Sequence, residues 1–213
     1  MTPGGAAPSL PPDRRSTDVP AGSGAPAWVA SMHTHCSRCG EPLLLGPLAG
    51  EDRERLSCVN GHVTYLNPRL VVTTFPITED GEIILIRRGL EPGRGLWAQP
   101  GGFLEIDETP TEGAIRETLE ETGLVVETGD TVGLYARLEA AVIVLVYEAR
   151  IAGGEAQPSP EALEVRAFAP HAIPWSEIAF RTTYWALVDW LARRRPELRP
   201  GAEPSGWTAG GTG

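Results

Sequence analysis

The chain has no lysine: all 18 basic residues are arginine, against 28 acidic ones, for a formal net charge of −10. Genome composition accounts for an all-arginine choice, so no function is read from it. The acidic balance itself argues against general nucleic-acid binding, which needs a basic face. It leaves phosphate-bearing small molecules open, because bound cations screen acidic groups. Long apolar runs are missing too. The longest, Ala140 to Val146, falls far short of the ~20 residues needed to cross a bilayer and suits a buried strand. No apolar segment follows the N-terminal arginines, so no secretory leader or membrane partner is expected, and the reading is a cytoplasmic protein. Cysteine is also scarce, at three in 213 residues.

A chain of this length holds one full domain plus something small. Residues 1–32 are rich in Pro, Gly, Ala and Ser with little to bury, and are expected to form a disordered tail; 199–213 look similar. Residues 33–66 carry all the cysteines, and 67–198 carry the strand and helix patterns of the main domain. Strands are expected over Leu70 to Ile77 and Ile83 to Arg87, joined by a Glu-Asp-Gly turn, then over 131–138, 140–149 and Val165 to Phe168. A helix is expected from Thr183 to Arg194, with Trp185, Val188 and Leu191 on one face.

The densest chemistry lies between Gly102 and Leu124. Thr109 is a good N-cap, Pro110 suits the first helical position, Glu112 completes a capping box and Gly123 supplies a stop, so 110–122 is expected to be a helix. At about 100° per residue, Glu117, Glu120 and Glu121 share an arc of roughly 100°, while Ile115, Leu119 and Thr122 point the other way, toward a core. Carboxylates at these spacings repel one another, and a hard cation such as Mg²⁺ would offset that while bridging to a substrate phosphate. Arg116 lies four residues before Glu120 and can hold the carboxylates or reach a phosphate oxygen. Taken alone, the glutamates also read as an ordinary solvated face.

The full pattern resembles the Nudix box, and Gly102, Glu108, Arg116, Glu117, Glu120, Glu121, Gly123 and Leu124 all match it. One position departs: Thr118 stands where the family usually has an apolar residue. The resemblance implies an α+β fold, a Nudix α/β/α sandwich with a mixed sheet. It also implies hydrolysis of a nucleoside diphosphate linked to another moiety, by attack of water on phosphorus, assisted by Mg²⁺ or Mn²⁺. By the family pattern Glu117, Glu120 and Glu121 are metal ligands, one of them able to take the water's proton. The carbonyl of Gly102 is a further ligand, and Glu108 pairs with Arg116. Glu105 is either an outer acid or solvated. In this family the general base sometimes lies on a late loop, where Glu161 and Glu164 are the candidates, each with an ordinary loop role as the alternative.

A second constellation precedes the main domain: Cys36-Ser-Arg-Cys39, an 18-residue gap, and Cys58-Val-Asn-Gly-His62. Thiolates with one imidazole on two tight turns suit a structural, tetrahedral Zn²⁺ in a small ribbon. Cys36, Cys39, Cys58 and His62 are the expected ligands, with His33 and His35 near enough to compete for the fourth place. A redox Cys-x-x-Cys is the alternative, but Pro42 and the leucines after it suggest a hairpin instead of the helix such a motif opens. So short a ribbon would depend on its metal to fold.

The order of zinc ribbon, Tyr65-Leu66-Asn67-Pro68, strand pair, Gly95-Leu96-Trp97-x-x-Pro100-Gly101-Gly102 and Nudix box is similar to two branches of the family. The NADH diphosphatase branch, which also decaps NAD-capped RNA, carries a Ser-Gln-Pro-Trp motif that does not occur between Val125 and Glu148. The branch that includes FAD and ADP-ribose diphosphatases carries Leu163-Glu164-Val165-Arg166 and Ile173-Pro174-Trp175-Ser176-Glu177-Ile178-Ala179-Phe180 as they stand here. ADP-ribose or FAD is therefore favoured over NADH, with AMP released. Gln99 is a departure, since the family usually has an apolar residue there. For the substrate, Trp97, Tyr135 and Phe180 are candidate ring platforms, and Arg87, Arg88 and Arg181 candidate phosphate holders. Each also has a core or surface role as its alternative, Trp97 as an anchor for its strand above all, and His171 reads as a loop residue. A non-catalytic domain that senses ADP-ribose is the competing class, although such domains often lose box glutamates and here all are present. The resemblance also makes a homodimer a candidate state.

Overall fold

The structure, a computed structural model, describes Asp13–Arg15 and residues 27–204. The expectation of disorder at 1–12, 16–26 and 205–213 lies outside the described residues. In chain order the elements are β1 (Asp13–Arg15), α1 (Ala27–Ser31), β2 (Leu44–Gly46), β3 (Arg55–Ser57), β4 (Val63–Thr64), β5 (Arg69–Ile77), β6 (Ile83–Arg88), β7 (Trp97–Ala98), β8 (Gly101–Phe103), α2 (Pro110–Thr122), β9 (Leu124–Arg137), β10 (Val142–Gly154), β11 (Ala162–Phe168) and α3 (Arg181–Arg194). Two elements thus fall inside the stretch read as an N-terminal tail, β1 pairing in parallel with Leu134–Ala136 of β9. At the other end, residues taken as tail are packed: the Tyr184 hydroxyl donates to the Gly201 carbonyl at 3.0 Å, and Arg181 pairs with Glu203.

The main sheet is mixed. Its order is β1-β9-β10-β5-β6-β11, with β8 paired to β5 and β7 to β6. β10 runs parallel to β5 and antiparallel to β9. Side-chain alternation along β6 explains the layers, because a strand sends successive residues to opposite faces. Ile83 and Leu85 enter the larger core with Phe75, Trp97, Tyr135, Leu187, Trp190 and Leu191, beneath α3. Ile84 enters the second core with Leu124, Val126 and Ala149, against which Ile115 of α2 packs. One helix therefore covers each face, which is the expected α/β/α sandwich. Each fully buried Leu, Ile or Phe contributes about 1.5–3 kcal/mol to this arrangement.

β9 starts at Leu124, directly after the Gly123 cap, and not at 131 as the pattern suggested; its outer half alternates Leu124, Val126 inward with Val125, Glu127 outward. α3 buries Thr183, Ala186, Leu187, Trp190 and Leu191; of the expected stripe Leu191 is buried, while Trp185 and Val188 are only half-buried, so the inner face is turned toward Ala186, Leu187 and Trp190. The ribbon forms a separate three-stranded sheet, β2-β3-β4, over a small cluster of Cys36, Leu43, Leu56 and Cys58. Among the described residues no helix is long and apolar enough to cross a membrane.

Helix α2 begins as its sequence dictates. Thr109 Oγ1 accepts from the Glu112 N–H, and the Glu112 carboxylate accepts from the Thr109 N–H at 2.8 Å; Gly123 closes the helix in the left-handed region at φ 73°. Of the expected inner residues, Thr122 is buried and Ile115 packs on the second core, but Leu119 does not turn inward. Ala114, Thr118, Glu121 and Thr122 are buried, whereas Leu119 is 46% exposed. On this inner face lies a hydroxyl pair, Thr74 on β5 and Thr118 on α2, at 2.7 Å and fully buried. Thr118 spends its single proton on the Ala114 carbonyl at 2.7 Å, so Thr74 is the donor to Thr118. Thr118→Val leaves the Thr74 hydroxyl buried without an acceptor and is expected to cost about 1–3 kcal/mol in chemical denaturation. The Thr74→Val, Thr118→Val double variant should recover much of that loss; a double as unstable as the sum of the singles would refute the pair.

Candidate functional site

The catalytic candidates are built on one end of α2 and the glycine pair that precedes it. Arg116 is their hub. Its Nε and Nη2 bind the two oxygens of Glu108 at 3.0 and 2.7 Å, its Nη1 reaches Glu117 at 2.8 Å and Glu120 at 3.1 Å, and Nη2 also donates to the Phe103 carbonyl at 3.3 Å. These hydrogen bonds, with one from the Glu105 N–H, hold the Glu108 carboxyl down at about 2, and they raise the Arg116 pKa above its already high value. Glu105 thus contributes its backbone to this brace.

Glu121 is buried, at 7% exposure, and Gly101 donates its backbone N–H to it at 2.7 Å. Burial pushes its carboxyl from 4.5 up to about 8, against the pull of that hydrogen bond and of Arg88. Burial also raises Glu117, with Arg116 pulling the other way. The glycine pair is required sterically. A Cβ at Gly102 would fall on the Glu117 carboxylate, and one at Gly101, whose φ is 149°, would strike the Val72 carbonyl. Glu120, by contrast, is exposed at its Arg116 contact. The acidic face is thus graded, from the buried Glu121 to the solvent-facing Glu120.

The late glutamates separate. Glu161 adds to the negative field at Glu117 and Glu121 and to the attraction on Arg88. Glu164 is instead held by Arg166, with Arg87 at 3.8 Å. A register shift between Ala162 and Glu164, where β11 pairs with β6, accompanies this division.

Two of the ring platforms are core residues. Trp97 is 3% exposed and packs edge-on against Phe168 at 4.8 Å; Tyr135 is fully buried, its hydroxyl donating to Asp189 at 3.0 Å. Neither offers a face to a ligand, which corrects both as substrate-binding candidates. Phe180 is half-buried, with the Arg88 guanidinium 4.8 Å and that of Arg137 5.7 Å from its ring centre. Arg87 donates to the Gly95 carbonyl at 2.8 Å and Arg88 to that of Pro92 at 2.9 Å, so both brace the loop between β6 and β7. Arg181 pairs with Glu203 at 3.0 Å. The stacking of Arg88 and Arg137 on Phe180 had no signal in the sequence, because three distant segments meet there.

In the ribbon, the ligand atoms of Cys36, Cys39, Cys58 and His62 lie within 4.8 Å of one another. A tetrahedral zinc with Zn–S about 2.3 Å and Zn–N about 2.0–2.1 Å requires S···S near ~3.75 Å and S···N near ~3.55 Å. The structure has Cys39 Sγ to Cys58 Sγ at 3.7 Å, and His62 Nδ1 to Cys36 and Cys39 Sγ at 3.6 and 3.3 Å. Hydrogen bonds from the Glu41 backbone and the Asn60 side chain lower the Cys39 thiol to about 6, favouring the ligating thiolate. His35 is outside this group, its Nδ1 bonded to Thr34 Oγ1 at 3.0 Å. The cluster can hold a metal, and these three distances fit a tetrahedral zinc site.

Residues 67–191 match the family model described as NUDIX domain, more than half of the chain. The chain belongs to the Nudix family. A Nudix hydrolase crystal structure from Nitrosomonas europaea superposes with a TM-score of 0.71 at 32% identity, covering 80% of this chain and 97% of that one. An ADP-ribose pyrophosphatase of Methanocaldococcus jannaschii is 35% identical over 114 residues, 52% of this chain and 67% of that protein. The NAD-capped RNA hydrolase NudC of Stutzerimonas stutzeri is 28% identical over 174 residues, 80% of this chain but only 60% of the relative's length. The protein is thus a Nudix hydrolase.

The burial of Glu121 has a measurable consequence. Its folded-state pKa lies above the unfolded value, so the stability it contributes is complete below about 4.5 and is lost as pH rises through about 8. Without added divalent cation, Glu121→Gln should therefore melt higher than the wild type at pH 8.5 and alongside it at pH 5. Adding Mn²⁺ should raise the wild type's midpoint at pH 8.5 more than the variant's. A variant that melts lower than the wild type at pH 8.5 would count against the burial argument.

Proposed function

We propose that this Nudix hydrolase cleaves the diphosphate of ADP-ribose, or of a similarly ADP-linked molecule such as FAD, and releases AMP. The observation that carries the reading is the graded acid face braced by Arg116. Buried carboxylates whose pKa values stand above the ordinary range become favourable anions beside a cation, and hard carboxylate and carbonyl oxygens suit Mg²⁺ or Mn²⁺. Glu117, Glu120, Glu121 and the Gly102 carbonyl would hold it. When bound, such ions neutralise diphosphate charge and lower the pKa of coordinated water.

The chain's own residues supply the rest. Arg116 orients the Glu117 and Glu120 carboxylates through charge-assisted bonds, and Glu108 fixes Arg116 in turn. A water oxygen bonds to phosphorus as the anhydride P–O bond breaks, and a carboxylate takes the water's proton. Of the late glutamates, Glu161 rather than Glu164 is suited to that role, since it shares the field of Glu117 and Glu121. Phe180, with Arg88 and Arg137 beside it, is the platform for the adenine or flavin ring. In the ribbon, Cys36, Cys39, Cys58 and His62 hold a structural Zn²⁺.

NADH is the second substrate reading, and what favours it is the NudC relative, whose similarity extends over 80% of this chain. The deciding assay offers ADP-ribose, FAD, NADH and NAD⁺ with Mg²⁺ or Mn²⁺ and follows AMP. ADP-ribose or FAD should be turned over fastest and Glu120→Gln should be nearly inactive. Binding of ADP-ribose without any turnover would replace the hydrolytic reading with a sensing one. Glu161→Gln should lower kcat by about 10²-fold or more, the size of a general-base contribution, with Glu164→Gln within a few-fold of the wild type. Equal effects would remove Glu161 from the role. For the ribbon, elemental analysis should find one zinc per chain, lost in Cys58→Ser.

A further inference from the structure

Gln99 departs from the apolar residue usual at its place, and the structure makes that departure costly. The residue is 6% exposed and its carboxamide oxygen has no hydrogen-bond partner. A buried amide left in this state is destabilising, a cost that a leucine would not incur. Such an orphan calls for an explanation by function or by a bound molecule.

Its surroundings indicate what it serves. Gln99 follows β7, in which Trp97 pairs with Arg87 and Ala98 with Ile86. Strand alternation puts Gln99 on the face of Trp97, the side of the sheet that α3 covers. The segment leading into α3 runs along this strand: Ile178 bridges to Trp97, and the Ala179 N–H donates to the Trp97 carbonyl at 2.8 Å. That segment ends in Phe180, the half-buried ring beneath Arg88 and Arg137. A second orphan lies in the first turn of α3, where the fully buried Thr183 hydroxyl also has no partner. On the other side, two residues after Gln99, the Gly101 N–H holds Glu121. Along the chain the orphan amide thus stands between Trp97, with which the segment ending in Phe180 pairs, and Gly101, whose N–H holds Glu121.

We propose that Gln99 is a specificity-determining residue whose carboxamide oxygen accepts a hydrogen bond from the exocyclic amine of the nucleobase. The unmet group is an acceptor and needs a donor. Diphosphate oxygens donate nothing, whereas the 6-amino group of adenine is a donor at the edge of a flat ring, and Gln is suited to that edge. A ring stacked on Phe180 brings such an edge toward β7 while its diphosphate extends to the glutamates. This inference rests on the adenine-nucleotide reading above.

The test is a cycle between protein and ligand. Calorimetry measures Kd for AMP and for purine riboside 5′-monophosphate, which is AMP without its 6-amino group, on the full chain and on Gln99→Met, a near-isostere with no amide. The wild type should prefer AMP by about tenfold, the ratio that one well-made buried hydrogen bond gives. Gln99→Met should bind both alike, with a melting temperature at or above that of the wild type. Gln99→Leu, run in parallel, covers a failure of the first variant to fold. Equal affinities in the wild type, absence of AMP binding, or a preference that survives in both variants would overturn the proposal and leave an internal water as the partner of the amide. The ADP-ribose turnover assay reads the substrate assignment separately, so a hydrolase with no Gln99 effect and a Gln99-dependent binder without turnover are distinct results.

Discussion

Like charges crowded on one helix face set the terms for the whole site. Glu117, Glu120 and Glu121 repel one another, and two of them are partly or wholly withdrawn from water. Arg116 compensates at one end through its bonds to Glu117 and Glu120, and the Gly101 N–H at the other. Neither suffices to make Glu121 a comfortable anion, since its carboxyl remains at about 8. The residual imbalance is what a divalent cation would relieve, so the fold holds the acids in a geometry that is incomplete by itself. The glycine pair belongs to the same constraint, because a side chain at Gly102 would occupy the space of Glu117.

Much of this was legible in the sequence because it is local. The capping box, the helix stop and the Arg116–Glu120 spacing all act within a few residues, and each has its expected partner in the structure. The ribbon's hairpin turns are likewise short-range, and the Cys-x-x-Cys and Cys-x3-His pairs sit where such turns put them. What depended on distant segments was less readable. Leu119 was assigned inward by helical spacing, but the face of α2 that meets β5 through the Thr74–Thr118 hydroxyl pair leaves Leu119 exposed and Glu121 buried. Hydrophobic periodicity weighs a threonine as neutral and has no means of seeing its partner on β5.

The aromatic residues illustrate the same limit. Trp97, Tyr135 and Phe180 look alike as ring platforms in one dimension. Tyr135 goes to the core because Asp189, far along the chain, accepts its hydroxyl proton, and Trp97 because Phe168 closes over its edge. Phe180, at the N-cap of α3, is only half-buried, and its ring is met by the guanidinium groups of Arg88 and Arg137. Glu161 and Glu164 differ in the same manner. Period-2 alternation cannot assign them, because the register shift in β11 falls between Ala162 and Glu164.

The arginines complete the argument about charge. Arg87 and Arg88 end β6, yet their donors are turned to the carbonyls of Gly95, Leu90 and Pro92, and Arg181 is matched by Glu203. Guanidinium groups here brace loops, and their forked, rigid donors suit that use. With net charge at −10 and the nearby arginines committed to backbone carbonyls and carboxylates, the protein offers a diphosphate little fixed positive charge of its own. Attraction of such a substrate would then depend on the cations that the glutamates gather. Metal binding and substrate binding would on that account be coupled, since acids that by themselves repel a diphosphate would become its anchor with cations in place.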